Sequence, residues 1–314
     1  MAQTNTPAVH ITKPSTRMSG MRAMRVREAV TGYLFVLPTL VGFLVFALGP
    51  MLFSAYLSLH EWEIFSPPKF VGLDNFKFLP EDTRFTAGFV NTLKFVVAVV
   101  AMNTTLALGA AVGLQTKMPT VLRNFFRTSY FLPVVMSMTS VAIILSFLFH
   151  KEFGIVNYYL GLVGIEKVPW LASSSYALSS VVLATVWKTF GFDMILFSAA
   201  LNNVPKHFYE AAEIDGAGPW QRFWRITVPQ ISPSIFFATV IGIISHFQVF
   251  DAAYLMTRGG PGDATRTLVM TIYEDAFGSL RLGYGSAMAM ILFVIVMVLT
   301  IFQFKWGQKL VHYQ

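Results

Sequence analysis

The sequence predicts an all-α membrane protein with six spanning helices and both termini in the cytoplasm. Three observations carry that expectation. Of the 314 residues, 55% are hydrophobic and 12% are charged, with mean hydropathy +0.59. A soluble domain carries roughly 25% charged residues, so much of this surface, including many of its 30 Phe, faces lipid. Six apolar stretches reach the about 20 residues that a spanning helix needs. Basic residues, finally, are segregated to alternate connections between those stretches.

Taken in order, residues 1–20 are polar, contain Pro7 and Pro14, and read as a disordered tail. Residues 21–30 place Arg22, Arg25 and Arg27 among apolar residues, the pattern of a short interfacial helix. The apolar run that follows is too long for the core of a cleaved signal peptide and lacks a small-residue cleavage site. The expected organisation is therefore a tail over 1–28 and a six-span domain over 29–310. The spans are expected at about 31–58, with Pro38 and Pro50, then 89–114, 124–149, 176–201, 233–256 and 285–304. The third opens on a less apolar turn around Arg127 and Pro133. The fourth is the least apolar because it holds Lys188 and Asp193.

With both termini inside, the inner segments hold 13 basic and 4 acidic residues, and the outer segments 8 basic and 10 acidic. The net charge of +7 thus fits the anionic inner face of a membrane rather than nucleic acid. The outer loops 59–87 and 150–175 contain Trp62, Phe65, Phe70, Phe76 and Trp170. They suit either a plain aromatic belt or a folded surface that receives an extracytoplasmic partner. The chain has no cysteine, which excludes disulfides, thiol catalysis and Cys-ligated metal. Its six His lack metal-ligand spacing, and no convergent catalytic set is visible.

A polar island interrupts this apolar sequence between spans four and five, on the cytoplasmic side. It contains Glu210, Ala211, Ala212, Asp215, Gly216, Ala217, Gly218, Pro219 and Trp220, and runs on to Pro229. A short helix is expected to start near Pro205 and to break at Gly216. A second is expected from Trp220 to about Thr227, ending at Pro229. Phe208, Tyr209, Trp220 and Phe223 would then project from a knob able to enter a groove on a partner. The residues alone fit an ordinary solvated loop equally well.

The spacing of Glu210-Ala211-Ala212, Gly216, Ile226 and Val228-Pro229 resembles the EAA loop of ABC importer permeases, with Val228 at a position usually Leu. Further blocks are similar to the maltose and glycerol-phosphate branch: PTLVGFLVFALGPM at 38–51, FLPVV at 131–135, VWKTFGFDM at 186–194 and FQVFDAAYLMTRGGPGDAT at 247–265. The resemblance covers residues 30 to 310. It implies the type I importer permease fold, with a core over about 87–304 and a coupling loop over 203–230, in a multi-pass bacterial inner membrane protein. It also implies partners: a second permease subunit, a cytoplasmic ABC ATPase dimer, an extracytoplasmic solute-binding protein, surrounding lipid and a sugar substrate. ATP and Mg would be held by the ATPase, since this chain has no phosphate-binding loop ending in Gly-Lys-Ser/Thr. The glycine-rich Arg258-Gly259-Gly260-Pro261-Gly262 lacks that ending.

Polar groups inside spans are costly and usually face the bundle interior. The candidate cavity residues are Trp187, Phe190 and Asp193 from span four, with His246, Gln248 and Asp251 from span five. Within the branch, glycerol phosphate or a phosphodiester is the alternative cargo. An ion-coupled carrier is the alternative mechanism, although no internal repeat supports it.

Overall fold

The computed structural model describes residues 17–307, so the expected disordered tail falls largely outside the described residues. Two compact units are present, Met1–Phe53 and Ser54–Gln314.

In the first unit, α1 (Arg17–Phe43) is one unbroken helix, so the basic segment runs directly into the first span. It continues through a π-helical turn, Leu44–Leu48, into α2 (Gly49–Ser58). The Gly49 N–H donates to the Leu44 carbonyl, five residues back. Pro50 explains this turn: it has no N–H, and its ring crowds the carbonyl of residue 46 unless the helix widens. The apolar helix Met24–Ser58 has 35 residues and mean hydropathy 2.2, ample length for a span.

The second unit is built on two long helices, α4 (Thr83–Leu114) and α8 (Ser174–Asn202). They are parallel with a fixed register. Asn103 Nδ2 donates to Thr189 Oγ1 at 2.8 Å, 86 residues on. Gln115 Nε2 donates to Asn202 Oδ1 at 2.9 Å, 87 residues on. Small and β-branched residues allow the close approach. Phe95 and Val99 pack with Val181, Val182 and Val186 toward the helix starts. Ala107, Ala111 and Leu114 pack with Met194 and Phe197 toward their ends.

The third apolar segment is not one helix. It divides into α5 (Thr120–Val135) and α6 (Met138–Leu148), which meet at 104°. Pro133 removes a helical donor, and Met136 and Ser137 are extended, with the Ser137 hydroxyl accepting from the Ser140 N–H at 3.2 Å as an N-cap. At this crossing α5 nearly touches α8, because a Cβ on Gly191 would lie 2.0 Å from the Tyr130 carbonyl oxygen.

Beyond the starts of α4 and α8, the bundle is capped by folded loops. A two-stranded hairpin (β1 His60–Glu61, β2 Lys69–Phe70) leads to α3 (Asp74–Phe78). The loop 150–170 closes around α7 (Ile155–Leu162) and the buried Asn157. Its Nδ2 donates to the Lys151 and Val168 carbonyls, and its Oδ1 accepts from Val168 N and Trp170 Nε1. Of the two readings left open for Trp170, aromatic belt or folded surface, the second holds: it is a structural residue of this loop.

The fifth span ends earlier than expected. The chain bends by 66° between α10 (Pro219–Gln230) and α11 (Ser232–Phe247). Helix α11 stops at Phe247 rather than near 256, and the Thr267 hydroxyl binds the Val249 carbonyl at 3.0 Å. A separate helix, α12 (Asp251–Thr257), follows, then α13 (Leu268–Tyr273) and the last span α14 (Leu282–Gly307). The intervening loop is pinned to α4: Asn91 Nδ2 donates to the Asp263 and Arg266 carbonyls, and Leu268 N donates to Thr92 Oγ1. Arg266 binds Asp263 at 2.6 Å and Glu274 at 2.5 Å, and Glu274 also holds Arg84 at 2.6 Å. Burial alone would lower the Arg266 pKa. Its hydrogen bonds to the Glu274 and Asp263 carboxylates, with their charges, outweigh it and leave the guanidinium above its ordinary value.

Gly191→Ala forces α5 and α8 apart and costs on the order of 1–3 kcal/mol, so its thermal midpoint in detergent falls. Gly113→Ala, whose Cβ meets nothing within 4 Å, leaves it unchanged or slightly raised. Glu274→Gln weakens the charged hydrogen bonds to Arg84 and Arg266, each worth about 1.5–3 kcal/mol. Amide exchange over 258–275 then accelerates while that of α8 does not.

Candidate functional site

The polar island folds as two helices locked together. Helix α9 (Lys206–Ile214) begins within four residues of the end of α8. It ends in a Schellman turn: Ala217 N donates to the Ala212 carbonyl at 2.8 Å, and Gly216 N to the Glu213 carbonyl at 3.1 Å. Gly216 has φ +76°, with open space where a Cβ would point. Glycine is needed there for backbone conformation, not for room. Gly218 then starts α10, with its N–H held by Gln221 Oε1 at 3.2 Å.

Two side-chain struts fix the angle between the helices. Tyr209 Oη meets Thr227 Oγ1 at 3.0 Å, and Arg222 Nη1 meets Glu213 Oε2 at 3.2 Å. Tyr209 is therefore turned inward rather than projecting as expected. Pro229 does not end the second helix, which continues to Gln230. Ile214 (86% exposed), Trp220 (72%) and Trp224 (52%) present an apolar surface, and Glu210, Ala211, Asp215 and Gly216 are exposed beside it. A groove of about 340 Å³ between the helices is lined by Ala212, Asp215, Ala217, Gln221, Arg222, Arg225 and Ile226.

A second feature lies midway along the bundle. A cavity of about 260 Å³ is lined by Asn103 of α4, Val134 of α5, Thr189, Phe192 and Asp193 of α8, and Phe237, Ala238, Ile241, Gly242, Ser245 and His246 of α11. Asn103 and His246 are buried. His246 packs edge-on to Phe95, with ring centroids 6.1 Å apart.

Of the six cavity candidates read from the sequence, the fold brings Asp193 and His246 together in this cavity. Trp187 is 45% exposed, and Phe190 packs against Tyr130 at 5.6 Å. Gln248 caps the end of α11, and Asp251 sits in the first turn of α12, so neither lines the cavity. Asn103 was absent from the sequence candidates. The only signal was an amide in an apolar span, one of two there with Asn91; its partner Thr189 is 86 residues away.

Comparison with known proteins gives this architecture a family. The model for "Binding-protein-dependent transport system inner membrane component" matches residues 103–311. The chain is 33% identical to the sn-glycerol-3-phosphate transport system permease protein UgpA of Agrobacterium fabrum, covering 93% of this chain and 100% of the relative. It is also 33% identical to the trehalose/maltose transport system permease protein MalF of Thermococcus litoralis, covering 91% and 96%. The fold is similar to a chain in the crystal structure of a bacterial ABC transporter involved in the import of the acidic polysaccharide alginate. There the TM-score is 0.79 and the identity 25%, over 92% of this chain and 99% of the other. The chain thus belongs to the inner membrane permeases of binding-protein-dependent transport systems, the family expected from Glu210, Gly216 and their neighbours.

Proposed function

We propose that this chain is one of two permease subunits of an ATP-driven carbohydrate importer, and that residues 206–230 form its coupling element. The braced pair α9 and α10 carries this reading. The Schellman turn at Gly216 and the Tyr209–Thr227 and Arg222–Glu213 struts make the loop a rigid body. A rigid knob with exposed Ile214, Trp220 and Trp224 transmits the motion of whatever grips it.

In this reading the knob faces the cytoplasm and seats in one subunit of an ABC ATPase dimer, which holds ATP and Mg. A second permease seats on the other subunit, and an extracytoplasmic binding protein delivers the substrate to the opposite face. Closure of the ATPases turns the knobs and switches the bundle between inward- and outward-facing states. The positions of Lys and Arg in the sequence support that orientation. Carbohydrate as cargo is supported by the similarity to the trehalose/maltose permease and the alginate importer. Glycerol phosphate is the second reading, favoured by equal identity to UgpA over the whole length of that relative.

Co-purification with an ABC ATPase from the same organism tests the coupling role. Trp220→Ala weakens capture of the ATPase by about tenfold or more, as for an aromatic anchor worth about 2 kcal/mol. Gly216→Val, forced into a left-handed conformation that costs about 1–2 kcal/mol, lowers ATP-driven uptake while the bundle still purifies. Wild-type capture and uptake in both variants would contradict the proposal.

A further inference from the structure

The end of the bundle away from the knob carries a second, larger concavity. It encloses about 500 Å³ between the β1–β2 hairpin, α3 and the starts of α4 and α14. Its floor is braced. Tyr284 Oη donates to Asp82 Oδ2 at 2.9 Å, while Asp82 Oδ1 caps α4 by accepting from Arg84 N at 2.8 Å. Arg281 pairs with the buried Asp275 and lies over the Tyr284 ring, 5.0 Å from its centroid. Asn75 Nδ2 ties the hairpin down by donating to the Ser58 and His60 carbonyls, each at 2.9 Å. A site held this way is formed before any ligand arrives.

The rim is different. Glu61, Glu63 and Lys69 line the pocket, are exposed, and form no ion pair among the described residues. Glu61 and Lys69 are direct partners across the hairpin, so their side chains leave it on one face. With Asp74 and Asp82 counted, four acids face two bases, Lys69 and Arg281. The level of the pocket is set by the spans. Asp82 precedes the first residue of α4 and Arg281 the first residue of α14, and both helices are long and apolar enough to cross a membrane. The pocket thus opens where two spans leave the hydrocarbon and headgroups begin. Trp62 lines it, and Phe78, 61% exposed, gives it an apolar edge, as befits that level.

We propose that this pocket holds the headgroup of an aminophospholipid. Its ammonium lies against Glu61 and Glu63, its phosphate against Lys69 and Arg281, and Phe78 meets the start of its acyl chains. The mixed charge selects this class. An ammonium makes charge-assisted hydrogen bonds to the carboxylates and can lie on the Trp62 indole. A purely anionic headgroup meets twice as many acids as bases and is disfavoured. A basic segment of a protein partner would match the acids but set like charge against Lys69 and Arg281. The inference needs only the membrane placement of the chain and is independent of its cargo.

Native mass spectrometry of the assembled transporter, released from nanodiscs of phosphatidylethanolamine and phosphatidylglycerol in equal amounts, tests this. The expected result is one phosphatidylethanolamine retained per copy of this chain, about tenfold in preference to phosphatidylglycerol. The double variant Glu61→Gln, Glu63→Gln and, separately, Lys69→Glu each lower that retention about tenfold, the scale of one charge-assisted hydrogen bond. An unchanged thermal midpoint identifies the folded variants, and the wild-type preference decides the matter if neither folds. Glycerophosphoethanolamine, the same headgroup without chains, is not retained. Equal retention of the two lipids, or unchanged retention in the folded variants, overturns the proposal. So does retention of glycerophosphoethanolamine as firm as that of the lipid, which would make this a site for a soluble compound. Unchanged lipid retention with loss of binding-protein capture in the glutamate variant would assign the pocket to a protein partner and overturn it as well. ATP-driven uptake, measured separately, decides the importer reading whichever of these results is found.

Discussion

The parallel seam between α4 and α8 is the constraint on which the rest of the second unit depends. Two helices running the same way cannot be joined by a short turn, so the chain must cross the bundle and return between them. The crossing is α5 and α6, broken by 104°, and it passes α8 closely only because Gly191 lacks a side chain. Register is set by Asn103 against Thr189 and by Gln115 against Asn202. These contacts share one offset to within a residue, so a slip of either helix would break both. Inside the bundle, away from water, the Asn103–Thr189 pairing is hard to replace.

The knob and the cavity both inherit their position from this seam. Asn103 and Thr189 meet at the level where α11 brings Ser245 and His246 alongside, which creates the cavity. A few residues after α8 ends, α9 begins, so the polar knob is attached almost directly to the helix that lines that cavity. The knob and the cavity are therefore joined by a short, stiff route along α8. At the opposite end the loops are held as firmly, by Asn157 in one and by the Arg84–Glu274–Arg266–Asp263 chain in another. That firmness makes this face a shaped surface rather than a mobile one.

Much of this was legible in the sequence because it is written locally. Apolar length gave the spans, and the spacing of Glu210, Gly216 and Pro229 gave the knob and the family. The left-handed conformation of Gly216 is the physical content of that motif. What the sequence hid was long-range. The break after Pro133 depends on Ser137 capping a new helix. The early end of α11 depends on Thr267, 18 residues beyond the carbonyl it binds. Tyr209 reads as a projecting aromatic until Thr227 is found opposite it. Asn103 was marked only as an amide in an apolar span, with nothing nearby to point to Thr189. Hydropathy also drew residues 248–256 into the fifth span, because short amphipathic helices buried in a loop look apolar too.

The claim that ties these parts together is that the knob moves as one body. Because the chain has no native cysteine, spin labels can be placed cleanly at Lys206→Cys and Gln221→Cys, both exposed positions on α9 and α10. The distance between them, measured by pulsed electron resonance in the assembled transporter without nucleotide and trapped with ATP, is the direct test. A narrow distribution that does not shift between the two states is what a braced knob requires. A distribution that broadens or moves when ATP binds would mean the loop deforms instead of transmitting motion, and would contradict the coupling role assigned to it.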